Sequence, residues 1–232
     1  MISISVIIPV FKRVELLETC LASFQNSEYK PLEIIVVDDG NDEDVGVKIR
    51  EIAVKYLAHY IRCDKNGGAP AARNAGARIA QGEALFFADA DIEMAPEGLG
   101  LLSEALEKNE RASFAYGDFN FGSVTMQARE FSLDALRKTN YISTMALVRR
   151  AIFRPFDERL KRFQDWDLWL SLAERGATGV YVPHTIFTAT PGGSMSDWIP
   201  SIVIKYAPLF MWVPRVRKFI AARKIILKKH SL

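Results

Sequence analysis

Leu32–Gly40 reads LEIIVVDDG, with Ile34, Ile35, Val36 and Val37 in succession and then Asp38, Asp39 and Gly40. Four consecutive β-branched residues are too few for a helix and suit a strand buried on both faces, which the acidic turn ends. The same grammar recurs on either side. Ser3–Phe11 (SISVIIPVF) is a β-rich run closed by Pro9, His59–Arg62 is a third short strand, and Ala84–Asp91 (ALFFADAD) runs into Asp89 and Asp91. Between these runs apolar residues recur at helical spacing. Val14, Leu17, Leu21 and Phe24 share one stripe, and Val45, Ile49, Ile52 and Tyr56 share another. Gly67 and Gly68 open an alanine-rich helix over 69–80, with Pro70 in its first turn and Gly82 as a stop. Strands alternating with helices at this spacing predict an α/β fold of βαβ units, a Rossmann-like, mostly parallel sheet flanked by helices.

Farther on, a helix is expected over 97–107 and a strand over 112–121, followed by a loop-rich passage to Thr144. Phe163–Leu170 opens a helix that Gly176 can end, Gly179–Val182 is a short strand, and Pro191–Ser194 is a turn-rich loop. Of 232 residues, 49% are hydrophobic and 25% charged, which excludes disordered and low-complexity chains and suits one substantial core. No apolar run approaches the roughly 20 residues of a membrane span. Cys20 and Cys63 lack metal-type spacing, and the opening MISIS lacks a signal-peptide pattern, so a cytoplasmic setting is expected. Charge is unevenly spread. Trp198–Leu232 carries eight Lys/Arg and no Asp/Glu, leaving 22 basic against 28 acidic residues before it, a body near −6 with a tail of +8. That split points to an anionic partner surface such as a phospholipid face.

In a parallel α/β sheet, ligands bind beyond the carboxyl ends of the strands. The residues there are Pro9, Val10 and Phe11, Asp38 with Asp39, and Asp89 with Asp91. Four converging carboxylates call for a cation, and hard oxygen donors suit Mg²⁺ or Mn²⁺, which take one or two carboxylates plus substrate phosphates. Asn66–Gly76 (NGGAPAARNAG) adds a helix start whose N–H groups favour anions, with Arg73 one turn in. A diphosphate fits these parts, although neither a Walker loop nor the Gly-x-Gly-x-x-Gly pattern is present.

Together, SVIIPVF, VVDDG, NGGA…ARNAG, FADAD and QDWDLWL, five motifs in order over residues 3–172, resemble family 2 inverting glycosyltransferases of the GT-A fold. The resemblance implies transfer of a sugar, with inversion, from a nucleotide diphosphate donor, a UDP-sugar being the first expectation, with a divalent cation (Mn²⁺ or Mg²⁺) as cofactor. It also implies that Pro9, Val10 and Phe11 line the base and ribose pocket and that Asp39 accepts a hydrogen bond from the base. Arg73 would lie near the donor's phosphates or sugar, Asp89 would contact ribose, sugar or metal, and Asp91 would hold the metal against the diphosphate. Asp165 matches the general base that deprotonates the acceptor hydroxyl. The domain expectation is residues 1–197 as the GT-A domain, with a nucleotide-sugar half (1–95) and an acceptor half (96–197), and 198–232 as a basic amphipathic helical tail.

Three departures stand out. Lys12 replaces the Asn that often follows the aromatic residue, Gln164 replaces the Glu that usually precedes the base, and the Arg and His that often precede Ser-x-Ser are missing ahead of Ser194 and Ser196. The last raises the alternative of a nucleotide-sugar binding subunit without turnover. A nucleotidyltransferase is disfavoured because Val10–Arg13 lacks glycines. Asp167 is expected as a cap or surface charge, His184 as a structural or loop residue, and Trp166 and Trp169 as core. On a wheel from Arg215 to Lys229, Val216, Phe219, Ile220, Ile226 and Leu227 share a sector with Arg223, which suits a helix at a membrane interface on the cytosolic face. The competing expectation is packing on the body or on a second subunit, so self-association stays open. Nucleic acid is not an expected partner, because the tail's aromatics sit with aliphatics. The expected acceptor is a glycan, lipid-linked or polysaccharide.

Overall fold

A computed structural model describes residues 1–31, 33–191 and 212–232. The turn residues 192–194, Ser196 and the tail up to Met211 lie outside the described residues. The chain runs β1 (Ile4–Val10), α1 (Val14–Gln25), β2 (Glu33–Asp38), α2 (Glu43–Lys55), β3 (His59–Arg62), α3 (Ala69–Ile79), β4 (Ala84–Phe87), β5 (Ile92–Met94) and α4 (Gly98–Lys108). It continues with β6 (Phe114–Phe121), β7 (Val124–Met126), α5 (Leu133–Lys138), β8 (Leu147–Arg149), α6 (Gln164–Ala173), β9 (Gly179–Ala189) and α7 (Pro214–Lys229).

The strands form one sheet in the order β3-β2-β1-β4-β8-β6-β9-β5, with β7 paired to β6. β3, β2, β1 and β4 are mutually parallel, as the βαβ grammar requires. The second half is mixed: β8 runs antiparallel to β4 and β6, and β5 antiparallel to β9, while β6 and β9 are parallel. The parallel expectation therefore holds for the first half, whereas the short return strands beyond β4 make the whole sheet mixed. β5, β7 and β8 are three residues each, too short to show a period. β9 runs on to Ala189, well beyond the expected short strand. Its register against β6 shifts where Gly117 faces Val182 and Asp118 faces Thr185, so Pro183 and His184 sit in a bulge. A bulge is where proline is tolerated inside a sheet.

Alternate side chains of the first strands serve opposite faces. Val6, Ile8, Val36 and Phe86 join α1, α2 and α4 on one side, and Ile7, Ile35, Val37 and Phe87 join α3 and α6 on the other. α3 lies so close to β1 that a Cβ at Gly76 would stand 2.5 Å from Ile7 Cγ2. Trp166 and Trp169 are core, their indole N–H groups donating to Leu136 O at 2.7 Å and Ser143 O at 3.2 Å.

The C-terminal helix α7 packs on the body, which corrects the membrane-interface reading of its apolar sector. Ile226 and Val216 are buried, Leu227 packs against the α6 side of the core, and the Phe219 ring meets Phe163 edge-on at 5.0 Å. Arg223, the intruder on the wheel, donates to Lys138 O at 3.2 Å and lies 5.8 Å from the Trp166 ring. Entry of that sector into a bilayer would require the helix to leave the body. Among the described residues no helix is long and apolar enough to cross a membrane.

Asp167 is buried rather than a cap or a surface charge. Lys229 Nζ and His230 Nε2 each approach it at 2.9 Å, His230 Nδ1 lies 3.0 Å from Glu174, and Lys229 also reaches Asp157 at 2.8 Å. Burial alone would lower the His230 pKa, but the carboxylates of Asp167 and Glu174 outweigh it and raise it. A raised imidazole pKa makes the contact fully stabilising below the ordinary value of about 6.5 and progressively lost as pH rises through the folded value. Between about pH 6 and about pH 8.5 the wild-type melting temperature should therefore fall relative to that of His230→Gln. Parallel melting curves over that range would refute the linkage.

Candidate active site

The order of the first strands reverses at β1, so the carboxyl ends of β1 and β4 border the crevice of a parallel α/β sheet. A pocket of about 240 Å³ lies there, lined by Pro9, Val10, Phe11, Arg13, Asp39, Ala69, Asp89, Ala90 and Asp91. Six of the eight residues given a role by the resemblance line it. Arg73 and Asp165 are not among its lining residues.

The two aspartates after β2 divide their tasks. Asp38 turns inward and accepts from Asn41 N at 2.9 Å, Asn41 Nδ2 at 2.7 Å and Tyr60 OH at 2.8 Å, a structural role. Asp39 faces the pocket, and its carboxylate accepts from Gly67 N and Gly68 N at 2.9 Å each and from Asn66 Nδ2 at 3.0 Å. Burial raises its pKa, and the two glycine N–H groups partly offset this. Asp39 thus takes the N–H groups of the two glycines that lead into α3, ahead of its first turn. Gly40 is obligatory here: its φ is +69°, and a Cβ would lie 2.3 Å from the Lys65 carbonyl carbon.

The turn after β1 is strained. Lys12 has φ +59°, a left-handed conformation that a lysine adopts at a cost and an asparagine tolerates. Asn41 holds it, accepting from Lys12 N at 2.8 Å while donating to Val10 O at 2.9 Å. The turn directs Arg13 at Asp91, Nη1 to Oδ2 2.7 Å. Nothing in the local pattern marked Arg13 as more than the residue before a helix. Its place two positions beyond Phe11, in the segment leaving β1, is the signal that was there to use.

Arg73 is 4% exposed, not a solvated helix charge. Its Nη2 meets Asp89 Oδ1 at 2.5 Å, its Nη1 donates to Gln164 Oε1 at 3.2 Å, and its guanidinium lies 5.5 Å from the Phe156 ring centre. Its Nε has no hydrogen-bond partner among the described residues. The neighbouring Asn74 clasps the segment ahead of α6, donating to Phe156 O at 2.9 Å and accepting from Phe156 N at 2.8 Å.

Asp165 sits in the first turn of α6, whose N-cap is Phe163 at φ +60°. Its Oδ1 accepts from Trp166 N and its Oδ2 from Asn140 Nδ2, both at 2.8 Å. Burial raises its pKa, against the opposing pull of the Trp166 N–H, the Arg73 charge and Asn140. Asn140 comes from the loop-rich stretch and carries no motif, so only the fold reveals it. His184 is exposed in β9, and among the described residues no group of three or more His, Cys, Asp or Glu could hold a metal.

The sequence description of glycosyl transferase family 2 matches residues 5–156. Over 200 residues the chain is 32% identical to the GalNAc(5)-diNAcBac-PP-undecaprenol beta-1,3-glucosyltransferase of Campylobacter jejuni, covering 79% of this chain and 64% of that protein. It superposes with a TM-score of 0.71 and 20% identity on S. aureus TarS 1-349 in complex with UDP-GlcNAc, covering 85% of this chain and 62% of that one. The TM-score is 0.66, at 18% identity, for the mannosyltransferase PcManGT from Pyrobaculum calidifontis in complex with GDP-Man and Mn²⁺, covering 85% of this chain and 59% of that one. The chain thus spans less than two thirds of each relative, and at these identities the structural likeness establishes the GT-A fold alone.

Replacing Lys12 by Asn should relieve the left-handed strain and stabilise the fold by about 1 kcal/mol, a rise of roughly 2–4 °C in melting temperature. An unchanged or lower melting temperature would show that the turn is not strained.

Proposed function

The chain belongs to glycosyl transferase family 2, and from that premise we propose that it moves a sugar from a nucleotide diphosphate donor to a hydroxyl acceptor with inversion, Asp165 being the general base. The observation that carries this reading is the meeting of Asp39, Asp89 and Asp91 in one pocket at the sheet's carboxyl ends, with Arg73 linking that pocket to the helix of Asp165.

Pro9, Val10 and Phe11 supply apolar walls for the base and ribose, and Asp39, anchored by Asn66–Gly68, has remaining lone-pair capacity for an N–H of the base. The pocket's donors fit a hard divalent cation such as Mn²⁺ or Mg²⁺: Asp89 and Asp91 offer two carboxylates, and no group of three or more His, Cys, Asp or Glu comes together among the described residues, so water and substrate phosphate would complete the shell. When bound, such an ion offsets the charge that develops on the departing diphosphate. Asp165 accepts the proton of the acceptor hydroxyl as its oxygen bonds to the anomeric carbon. The bond from that carbon to the donor's phosphate oxygen breaks, and the nucleoside diphosphate leaves with the electron pair. A single displacement from the opposite face inverts the centre. Burial keeps Asp165 a better base than a solvated aspartate, while Trp166 N–H, Arg73 and Asn140 keep it ionised and aimed.

A lipid-linked glycan is the acceptor we favour. The Campylobacter relative acts on a PP-undecaprenol-linked glycan by its name, and the outward face of α7 exposes Lys218, Lys224 and Lys228 to a phosphate-bearing lipid at a cytosolic membrane face. UDP and GDP donors both occur among the structural neighbours, and a UDP-sugar is the first to try.

Thermal unfolding with Mn²⁺ and a panel of nucleoside diphosphates and their sugars tests the donor site, a shift for one nucleotide that Asp91→Ala loses being expected. Transfer should fall by about 10²–10⁴ in Asp165→Asn while that thermal shift is retained. The acid limb of kcat/KM should lie above the ordinary aspartate range of about 3.9. Full activity in Asp165→Asn would remove the base assignment.

A further inference from the structure

Both carboxylates of Asp89-Ala90-Asp91 are met by arginines, but the two arginines are held differently. Arg73 comes from inside α3, is 4% exposed, and is fixed on three sides by Asp89, Gln164 and the Phe156 ring. Arg13 comes from the turn after β1, has a side chain 35% exposed, lines the pocket, and reaches Asp91 at 2.7 Å. Asp91 itself is 7% exposed, a desolvated anion that needs a cation beside it.

We propose that Arg13 is the resident counter-ion of Asp91, that a divalent cation must displace it, and that the displaced guanidinium becomes a ligand of the donor's diphosphate. The proposal rests on the reading of this pocket as the donor site. A guanidinium and a divalent cation repel each other at one buried carboxylate, so the cation alone enters at the expense of an existing ion pair. A nucleoside diphosphate arriving with it brings the negative charge that can receive Arg13, whose planar fork suits phosphate oxygens. Cation and nucleotide then reinforce each other's binding, and by linkage the effect is mutual. Lys12 and its bond to Asn41 hold the backbone of the turn, so the exchange needs a movement of the Arg13 side chain only.

Calorimetric titration of the full chain with Mn²⁺ alone, and with UDP and GDP each with and without Mn²⁺, tests this in wild type, Arg13→Gln, Arg13→Lys and Asp91→Asn. Ligand-free melting curves confirm that each variant is folded. Arg13→Gln should bind Mn²⁺ alone about five- to tenfold more tightly, yet bind the nucleotide in saturating Mn²⁺ about tenfold more weakly, so that the coupling between them shrinks to what direct contact of cation and phosphate supplies. Arg13→Lys, which keeps the charge, should fall between wild type and Arg13→Gln. Mn²⁺ affinity in Arg13→Gln that is unchanged or weaker would overturn the counter-ion role, and unchanged nucleotide affinity would overturn the diphosphate role. Asp91→Asn separates the two levels. If it loses Mn²⁺-dependent nucleotide binding while Arg13→Gln behaves as wild type, the donor site stands and the Arg13 proposal fails. Should Asp91→Asn bind Mn²⁺ and nucleotide like wild type, the donor-site reading fails and the proposal with it.

Discussion

A guanidinium with almost no access to water has to be met by oxygen atoms of the protein, and Arg73 imposes that demand at the centre of this molecule. Asp89 at the end of β4 answers one nitrogen, Gln164 at the start of α6 answers another, and the Phe156 ring covers a face. Removing one partner of such a pair leaves a buried charge uncompensated, at a cost of about 3–5 kcal/mol. The three elements are therefore held in one arrangement, and Asn74, next in the helix, adds two hydrogen bonds to the Phe156 backbone. Asp165 lies in the first turn of the same α6 and feels the same positive charge.

The position of α6 depends on a second charged cluster on its far side. Asp167, two residues from Asp165, is buried and faces Lys229 and His230 at the end of α7, while Lys229 also reaches Asp157 in the segment leading into α6. The C-terminal residues thus brace the helix that presents Asp165. The apolar face of α7 is consumed in the same docking, leaving Lys218, Lys224 and Lys228 outward. A helix with a marked apolar sector can be satisfied by lipid or by protein, and the wheel alone does not distinguish the two.

Where a strand was long and buried on both faces it was legible from its residues, because β-branched runs such as Ile34–Val37 have one physical use. β1 to β4 and their helices were read within one to three residues for that reason. β7 fell into the passage read as loop-rich, and β5 and β8 into stretches assigned no element, since three residues show no period and are strands only because a neighbour supplies hydrogen bonds. β9 was read as a short strand ending at Val182, and Pro183 follows. The bulge opposite Gly117 and Asp118 lets the strand continue past it. At the site, the residues after strand ends were legible because strand ends in a parallel sheet converge. Arg13, Asn140 and the inward turn of Asp38 were not, because each acquires its role from a partner far away in the chain.

What the amino-acid sequence determined by itself was the parallel half of the sheet, the position of its crevice and the carboxylates that border it, all consequences of local period and of strand ends that fall close to Pro9, Asp38 and Asp89. Only the tertiary structure decided which charges compensate which. Asp39 holds the glycines that lead into α3, Arg73 ties Asp89 to α6, Arg13 covers Asp91, and α7 turns its apolar face to protein. Pairing of charges depends on distance and desolvation between segments remote in the chain, and neither quantity exists until the chain is folded.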